Sequence, residues 1–131
     1  MGINSTGYMY VPLKCQKMKC PAHYVFHGCN QDIAWISTAF IEFAGFNSVA
    51  ELNDIVVVYP QAIVSTGNQY GCWDYYGFTD DGNDYYATNR GAQMQAIYDT
   101  IQTVMTKGVT VKAAGISGPD LLNSTAECMA C

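Results

Sequence analysis

Basic residues are scarce. Six Lys+Arg stand against eleven Asp+Glu, for a net charge of −5 and an isoelectric point near 4.6. Such a surface repels a polyanion, so nucleic acid is excluded as a partner. Charge of either sign is thin at 13%, against a hydrophobic fraction of 50%, which excludes a disordered chain and demands a packed core. Long apolar runs are missing as well. Ile55–Pro60 is bounded by Asp54 and Gln61, far short of the roughly 20 residues that span a bilayer, so no membrane partner is expected. Met1–Thr6 has neither a basic stretch nor an apolar one, and no secretory leader is visible. Repeats, heptads and low-complexity linkers are also absent, and 131 residues read as one domain, 1–131.

Cysteine, by contrast, is plentiful. Cys15, Cys20, Cys29, Cys72, Cys128 and Cys131 in so short a chain favour an oxidising, extracellular setting, with the pairing left open. Cys128 and Cys131 form a lone C-x-x-C without a second ligand pair, which does not define a zinc site. A local disulfide or two free thiols is the expectation there. Asp80-Asp81-Gly82-Asn83-Asp84 lacks the spaced ligands and closing glutamate of a calcium loop and reads as a solvated turn. No metal and no cofactor are expected. Asn4-Ser5-Thr6 and Asn123-Ser124-Thr125 are glycosylation sequons of a kind that chance also produces.

Periodicity organises the rest. Tyr8–Leu13 and Ala22–His27 are aromatic and β-branched runs that read as two adjacent strands. Ile33, Ile36, Phe40, Ile41 and Ala44 recur at helical spacing, and Ser48-Val49-Ala50-Glu51 matches a capping box. Ile55–Tyr59 is apolar without alternation, as in a strand covered on both faces, and Pro60 ends it. Residues 61–90 carry four glycines and little periodicity, a loop long enough to be a binding surface. Met94, Ile97, Ile101, Val104 and Met105 mark a helix from Ala92 to Lys107, stopped by Gly108. Val109–Ala114 reads as a further strand. Alternating strands and helices predict an α/β fold with a mainly parallel sheet flanked by helices.

Gly115-Ile116-Ser117-Gly118-Pro119 follows that last strand as G-x-S-x-P. A strand-to-helix elbow lifts a serine hydroxyl above the strand ends, which makes Ser117 the candidate nucleophile. An ester's tetrahedral intermediate also needs two preorganised N–H donors, one after the serine and one from a neighbouring loop. Gly118 and Cys29 fit those places, and Pro119 removes only its own N–H. His23 and His27 lie at i and i+4 along the second strand, on one face. His27 reads as a structural histidine holding the Gly28-Cys29 turn, and His23 as a core or edge residue. Neither is chosen as the catalytic base.

His27-Gly28-Cys29-Asn30-Gln31, Val57-Val58-Tyr59-Pro60-Gln61-Ala62, Gly71-Cys72-Trp73-Asp74 and the opening Thr6-Gly7-Tyr8-Met9-Tyr10-Val11-Pro12 occur in order. Together they resemble the extracellular poly(3-hydroxybutyrate) depolymerases, esterases of the α/β-hydrolase fold. The likeness runs from about residue 4 to residue 107, leaving 108–131 as a divergent strand and tail, and is nearest the circularly permuted fungal form. It implies a partial α/β-hydrolase domain in which Cys29 supplies a backbone oxyanion donor. It also implies bridges Cys15 to Cys20 and Cys29 to Cys72, and a substrate crevice bordered by Trp73, Tyr75 and Tyr76. The expected ligand is a polyester or another carboxylic ester.

The departures bear on activity. The family has glycine where Pro119 stands, and no histidine follows Ser117. In the unpermuted order the acid and base come after the serine, and in the permuted order the whole triad half precedes residue 1. Either way the base is missing, and triad members act as a unit, so this chain alone is expected to be inactive. The remaining half of the hydrolase domain is the expected partner. A noncatalytic remnant that binds polyester or carbohydrate through its aromatic loop is the alternative.

Overall fold

The computed structural model describes residues 2–80 and 82–106, with the backbone alone for Lys107 and Thr125–Cys128. Four strands, β1 (Gly7–Tyr10), β2 (Ala22–Tyr24), β3 (Val56–Tyr59) and β4 (Thr125–Cys128), form one sheet in the order β2-β3-β1-β4. Among the described residues four α-helices accompany them: α1 (Ile33–Ile36), α2 (Ala39–Phe43), α3 (Phe46–Asn53) and α4 (Ala92–Lys107). β2 pairs with β3 in parallel, Ala22 opposite Val56, whereas β1 runs antiparallel to both β3 and β4. Among the described residues the sheet is therefore mixed, not mainly parallel. The first two strands are also not neighbours, because β3 inserts between them. The expected strand Val109–Ala114 and the stop at Gly108 lie outside the described residues.

β3 holds the centre because every one of its side chains is buried. Val57 and Tyr59 join Tyr10, Val25, Ile41 and Ala50 on one face, while Val56 and Val58 join Met9 and Val11 on the other, with Val104 of α4 packed against them. Two covered faces are what the unalternating run Ile55–Tyr59 predicts. Each buried valine contributes about 1.5–3 kcal/mol by leaving water.

The helical stretch 33–53 is broken twice. Ser37 has φ 54° between α1 and α2, and Gly45 has φ 87° between α2 and α3. A left-handed residue cannot continue a right-handed helix, and glycine occupies that region without penalty. α3 consequently starts at Phe46 rather than at the anticipated capping box. Ser48 Oγ donates back to Gly45 O at 3.0 Å, and Glu51 accepts from the Tyr10 hydroxyl at 2.7 Å.

Tyr59 ties β3 to α3, its hydroxyl donating to Asn47 Oδ1 at 2.6 Å in the core. Asn47 in turn donates to Ile41 O at 2.9 Å, which fixes the corner between α2 and α3. Tyr59→Phe would strand Asn47 Oδ1 without its donor, and chemical denaturation is expected to show a loss of about 1–3 kcal/mol. Burial pushes the Tyr59 phenol up to about 12. Its contribution is then fully present below the ordinary tyrosine value near 10 and is lost as pH rises through about 12.

Candidate active-site loop and aromatic rim

The chain leaves β2 through Val25, whose N–H donates to Val58 O at 2.9 Å, and then turns at Gly28 and Cys29 into α1. Three residues close that turn. His27 Nδ1 lies 2.8 Å from Gly28 O, Gly28 N–H donates to Gln31 Oε1 at 2.8 Å, and Gln31 N–H donates to Gly28 O at 3.3 Å. Asn30, in the left-handed region at φ 59°, donates its N–H to Tyr70 O at 2.7 Å. Cys29 is exposed, and among the described residues its N–H has no acceptor although the N–H groups of Gly28, Asn30 and Gln31 all do.

Asp32 then caps α1, Oδ1 accepting the N–H groups of Ala34 and Trp35 at 3.0 Å each. It is almost fully buried, and Oδ2 has no hydrogen-bond partner among the described residues. Gly71 passes directly over that oxygen: a β-carbon there would sit 1.9 Å from Asp32 Oδ2. This approach brings Cys72 to Cys29, and the two are bridged with Cα atoms 4.3 Å apart. Cys15 and Cys20 form the second bridge, Cα atoms 5.6 Å apart. Both pairs are those implied by the family resemblance.

Asn68 shapes the incoming turn. Its Oδ1 accepts Cys72 N–H at 2.8 Å while Nδ2 donates to Cys72 O at 2.7 Å and Ile63 O at 3.2 Å. Trp73 comes next, and its indole N–H is spent on His27 O at 3.0 Å. Its ring meets Phe26 edge-on at 5.0 Å and lies 5.5 Å from His27. Trp73 thus braces the His27 turn. The open rings are Tyr70, Tyr75 and Tyr76, which are 58%, 69% and 53% exposed. With Gly67, Asn68 and Cys72 they line a shallow depression of about 270 Å³.

Asp74 holds the far side of that rim. Its carboxylate accepts the N–H groups of Tyr76, Gly77, Phe78 and Thr79 and the Thr79 hydroxyl, at 2.6–3.2 Å. Burial alone would raise its titration point, but the bonds from Thr79, Gly77 and Tyr76 outweigh it and hold the carboxyl below the ordinary aspartate range. The stabilisation is therefore present above about pH 3.9 and lost as pH falls through the lowered value. Protection of the Gly77 and Thr79 amides, relative to the intrinsic rate that itself falls with pH, is expected to drop on acidification in the wild type. In Asp74→Asn that protection should be low already at neutral pH and nearly independent of acid. Asp74 stands in the sequence as the end of the Gly71-Cys72-Trp73-Asp74 motif, and D-x-x-G-x-T from Asp74 to Thr79 is a turn signal in its own right. The Asn68 bracket, the Gln31 clamp and the Asp32 cap emerge only with the structure.

His27 is buried and beside Phe40 at 6.3 Å; Ala62 N–H donates to its Nε2 at 3.1 Å. His23 is exposed, its ring 6.2 Å from Phe46. Cys29, Cys72, Trp73, Tyr75 and Tyr76 are thus brought together at the carboxyl end of β2. Ser117 and Gly118 lie outside the described residues, as does any pairing of Cys128 with Cys131.

A small mixed sheet with helices beside it, and a turn at the carboxyl end of a strand that runs into a capped helix, give the described residues an α/β architecture. The particular resemblance is to poly(3-hydroxybutyrate) (PHB) depolymerases. The chain is 36% identical over 122 residues to the poly(3-hydroxybutyrate) depolymerase of Delftia acidovorans, a match covering 91% of this chain and 23% of that protein. It is 32% identical over 117 residues to the polyhydroxybutyrate depolymerase of Talaromyces funiculosus, covering 79% and 34%. Among solved structures it superposes on the PHB depolymerase from Penicillium funiculosum with a TM-score of 0.70 at 31% identity, covering 83% of this chain and 37% of that one. A PHB depolymerase complexed with an R3HB trimer gives 0.67 at 32% identity. No protein-family model matches. The chain is a partial match to the PHB depolymerases and spans about a quarter to a third of the length of the curated relatives it matches.

Proposed function

We propose that these residues form the charge-stabilising and substrate-facing side of a serine esterase site, acting on poly(3-hydroxybutyrate) or a related carboxylic ester. The proton-transfer residues come from another stretch of protein. One observation carries the reading: among the described residues the Cys29 N–H is without an acceptor, in a turn whose neighbouring N–H groups are all engaged. A fixed donor costs no reorganisation when negative charge develops on a carbonyl oxygen, which is the basis of oxyanion stabilisation. The two disulfides fit an oxidising, extracellular compartment.

Neither histidine serves as the base. His27 already accepts Ala62 N–H on Nε2, and a serine without a base is a poor nucleophile near neutral pH. On this reading Ser117 is a nucleophile without its partner and Gly118 a second donor. A fluorophosphonate probe is expected to leave Ser117 unlabelled in the 131-residue chain; labelling there would mean that a working base lies within it. Titration of the isotope-labelled chain with (R)-3-hydroxybutyrate, whose carboxylate stands in for the oxyanion, is expected to shift the Cys29 amide resonance. An amide that does not respond would overturn the oxyanion role.

The exposed Tyr70, Tyr75 and Tyr76 favour a second reading, a surface that holds polyester or carbohydrate without cleaving it. Binding to polyhydroxybutyrate granules that is abolished by Tyr75→Ala/Tyr76→Ala, with no response at Cys29, would select it.

A further inference from the structure

We infer that His27 is a positioning residue that sets the direction of the Cys29 N–H, with Gln31 as a second clamp on the same peptide; this rests on the oxyanion reading above. Ala62 N–H can only donate, so Nε2 of His27 must carry a lone pair. The neutral ring's proton is therefore on Nδ1, which donates to Gly28 O at 2.8 Å. The ring cannot drift from this arrangement cheaply. It is 2% exposed and lies beside the rings of Phe40 and Trp73.

Gly28 C=O and Cys29 N–H belong to one trans peptide and point in opposite directions across its plane. Fixing the carbonyl therefore aims the N–H. Gly28 O accepts two bonds, from His27 Nδ1 and from Gln31 N–H, and the preceding peptide is held by Gly28 N–H on Gln31 Oε1. The result directs the Cys29 N–H away from the His27 ring. Gly28 is itself confined, since a β-carbon there would stand 3.0 Å from Gln31 Oε1. His27 would act on the oxyanion without touching it.

Two isosteres separate this role from simple core packing. Asparagine places an amide N–H where Nδ1 stands, so His27→Asn keeps a donor for Gly28 O and loses the acceptor for Ala62. Glutamine reaches to the Nε2 position, so His27→Gln keeps an acceptor for Ala62 and loses the bond to Gly28. The test uses the full 131-residue chain, labelled with nitrogen-15 and titrated with (R)-3-hydroxybutyrate. The wild-type ring is expected to show a protonated Nδ1 and a bare Nε2. His27→Asn should retain the Cys29 response while Ala62 exchanges faster. His27→Gln should weaken the Cys29 response at least about tenfold while Ala62 stays protected.

A wild-type ring carrying its proton on Nε2 would overturn the inference, as would a His27→Gln variant whose Cys29 amide responds like the wild type. A wild-type Cys29 that does not respond would instead remove the oxyanion reading, and the inference with it. Should His27→Gln fail to fold, Gln31→Ala frees the Gly28 N–H of the preceding peptide, so that the Gly28–Cys29 peptide can turn about its other end while Gln31 N–H still reaches Gly28 O. That variant is expected to weaken the Cys29 response, and an unchanged response there would also overturn the inference.

Discussion

Alanine at position 71 is expected to cost on the order of 3 kcal/mol, visible as a large fall in the urea midpoint with little change in slope. Gly71 has φ +58°, and the added β-carbon would lie 1.9 Å from Asp32 Oδ2 and 2.8 Å from its Cγ. The aspartate cannot step aside without releasing Ala34 and Trp35 at the start of α1, because its other oxygen caps both. It is also 1% exposed, so no solvent space receives it. The substitution thus loosens the α1 cap and the turn that delivers Cys72 together. An unchanged midpoint would mean that the Asp32 side chain and the 68–72 turn separate freely.

Removing the bridge with Cys29→Ser/Cys72→Ser is expected to destabilise the protein by about 4 kcal/mol on chain-entropy grounds, since it closes a separation of 43 residues. The same change at Cys15 and Cys20, separated by 5, is expected to cost about 2 kcal/mol. Urea titrations of the two double variants in parallel provide the check. Equal losses would show that local strain or residual structure, rather than loop length, governs the effect. Both hydrogen bonds flanking the longer bridge, Asn30 N–H to Tyr70 O and Trp73 N–H to His27 O, cross between the segments it joins. Amide exchange at Asn30 should therefore rise more than exchange in β3.

Much of this was legible where one physical term dominates. Ile55–Tyr59 has nothing but burial to satisfy, and β3 forms there. α4 combines a regular apolar stripe with good helix formers and runs from Ala92 to Lys107 as the spacing predicts. The helix expected from Ile33 to Gly45 is split at Ser37, and the next starts at Phe46 rather than Ser48, because periodicity reports which side chains face inward and says nothing of the backbone sign at Ser37 and Gly45. Glu51 fitted a capping box but is claimed by Tyr10 from 41 residues away, a long-range bond invisible to local pattern. The sheet's mixed sense eluded alternation for the same reason, since strand direction depends on connections and not on composition. At the site, the resemblance supplied the cysteine pairing. His27 is legible there as the holder of the Gly28-Cys29 turn; the anchor on its far nitrogen is not, because Ala62 lies 35 residues away and meets it only in three dimensions.

Gln93, at the start of α4, spends its side-chain oxygen on Asp74 N–H at 2.7 Å and its nitrogen on Gly2 O at 2.8 Å. One amide therefore links the segment before β1 to the turn beneath the exposed tyrosines. A change that displaces Gly2 would tug on this link, and ring spectra or granule adhesion would then register the segment before β1 as well as the loop itself.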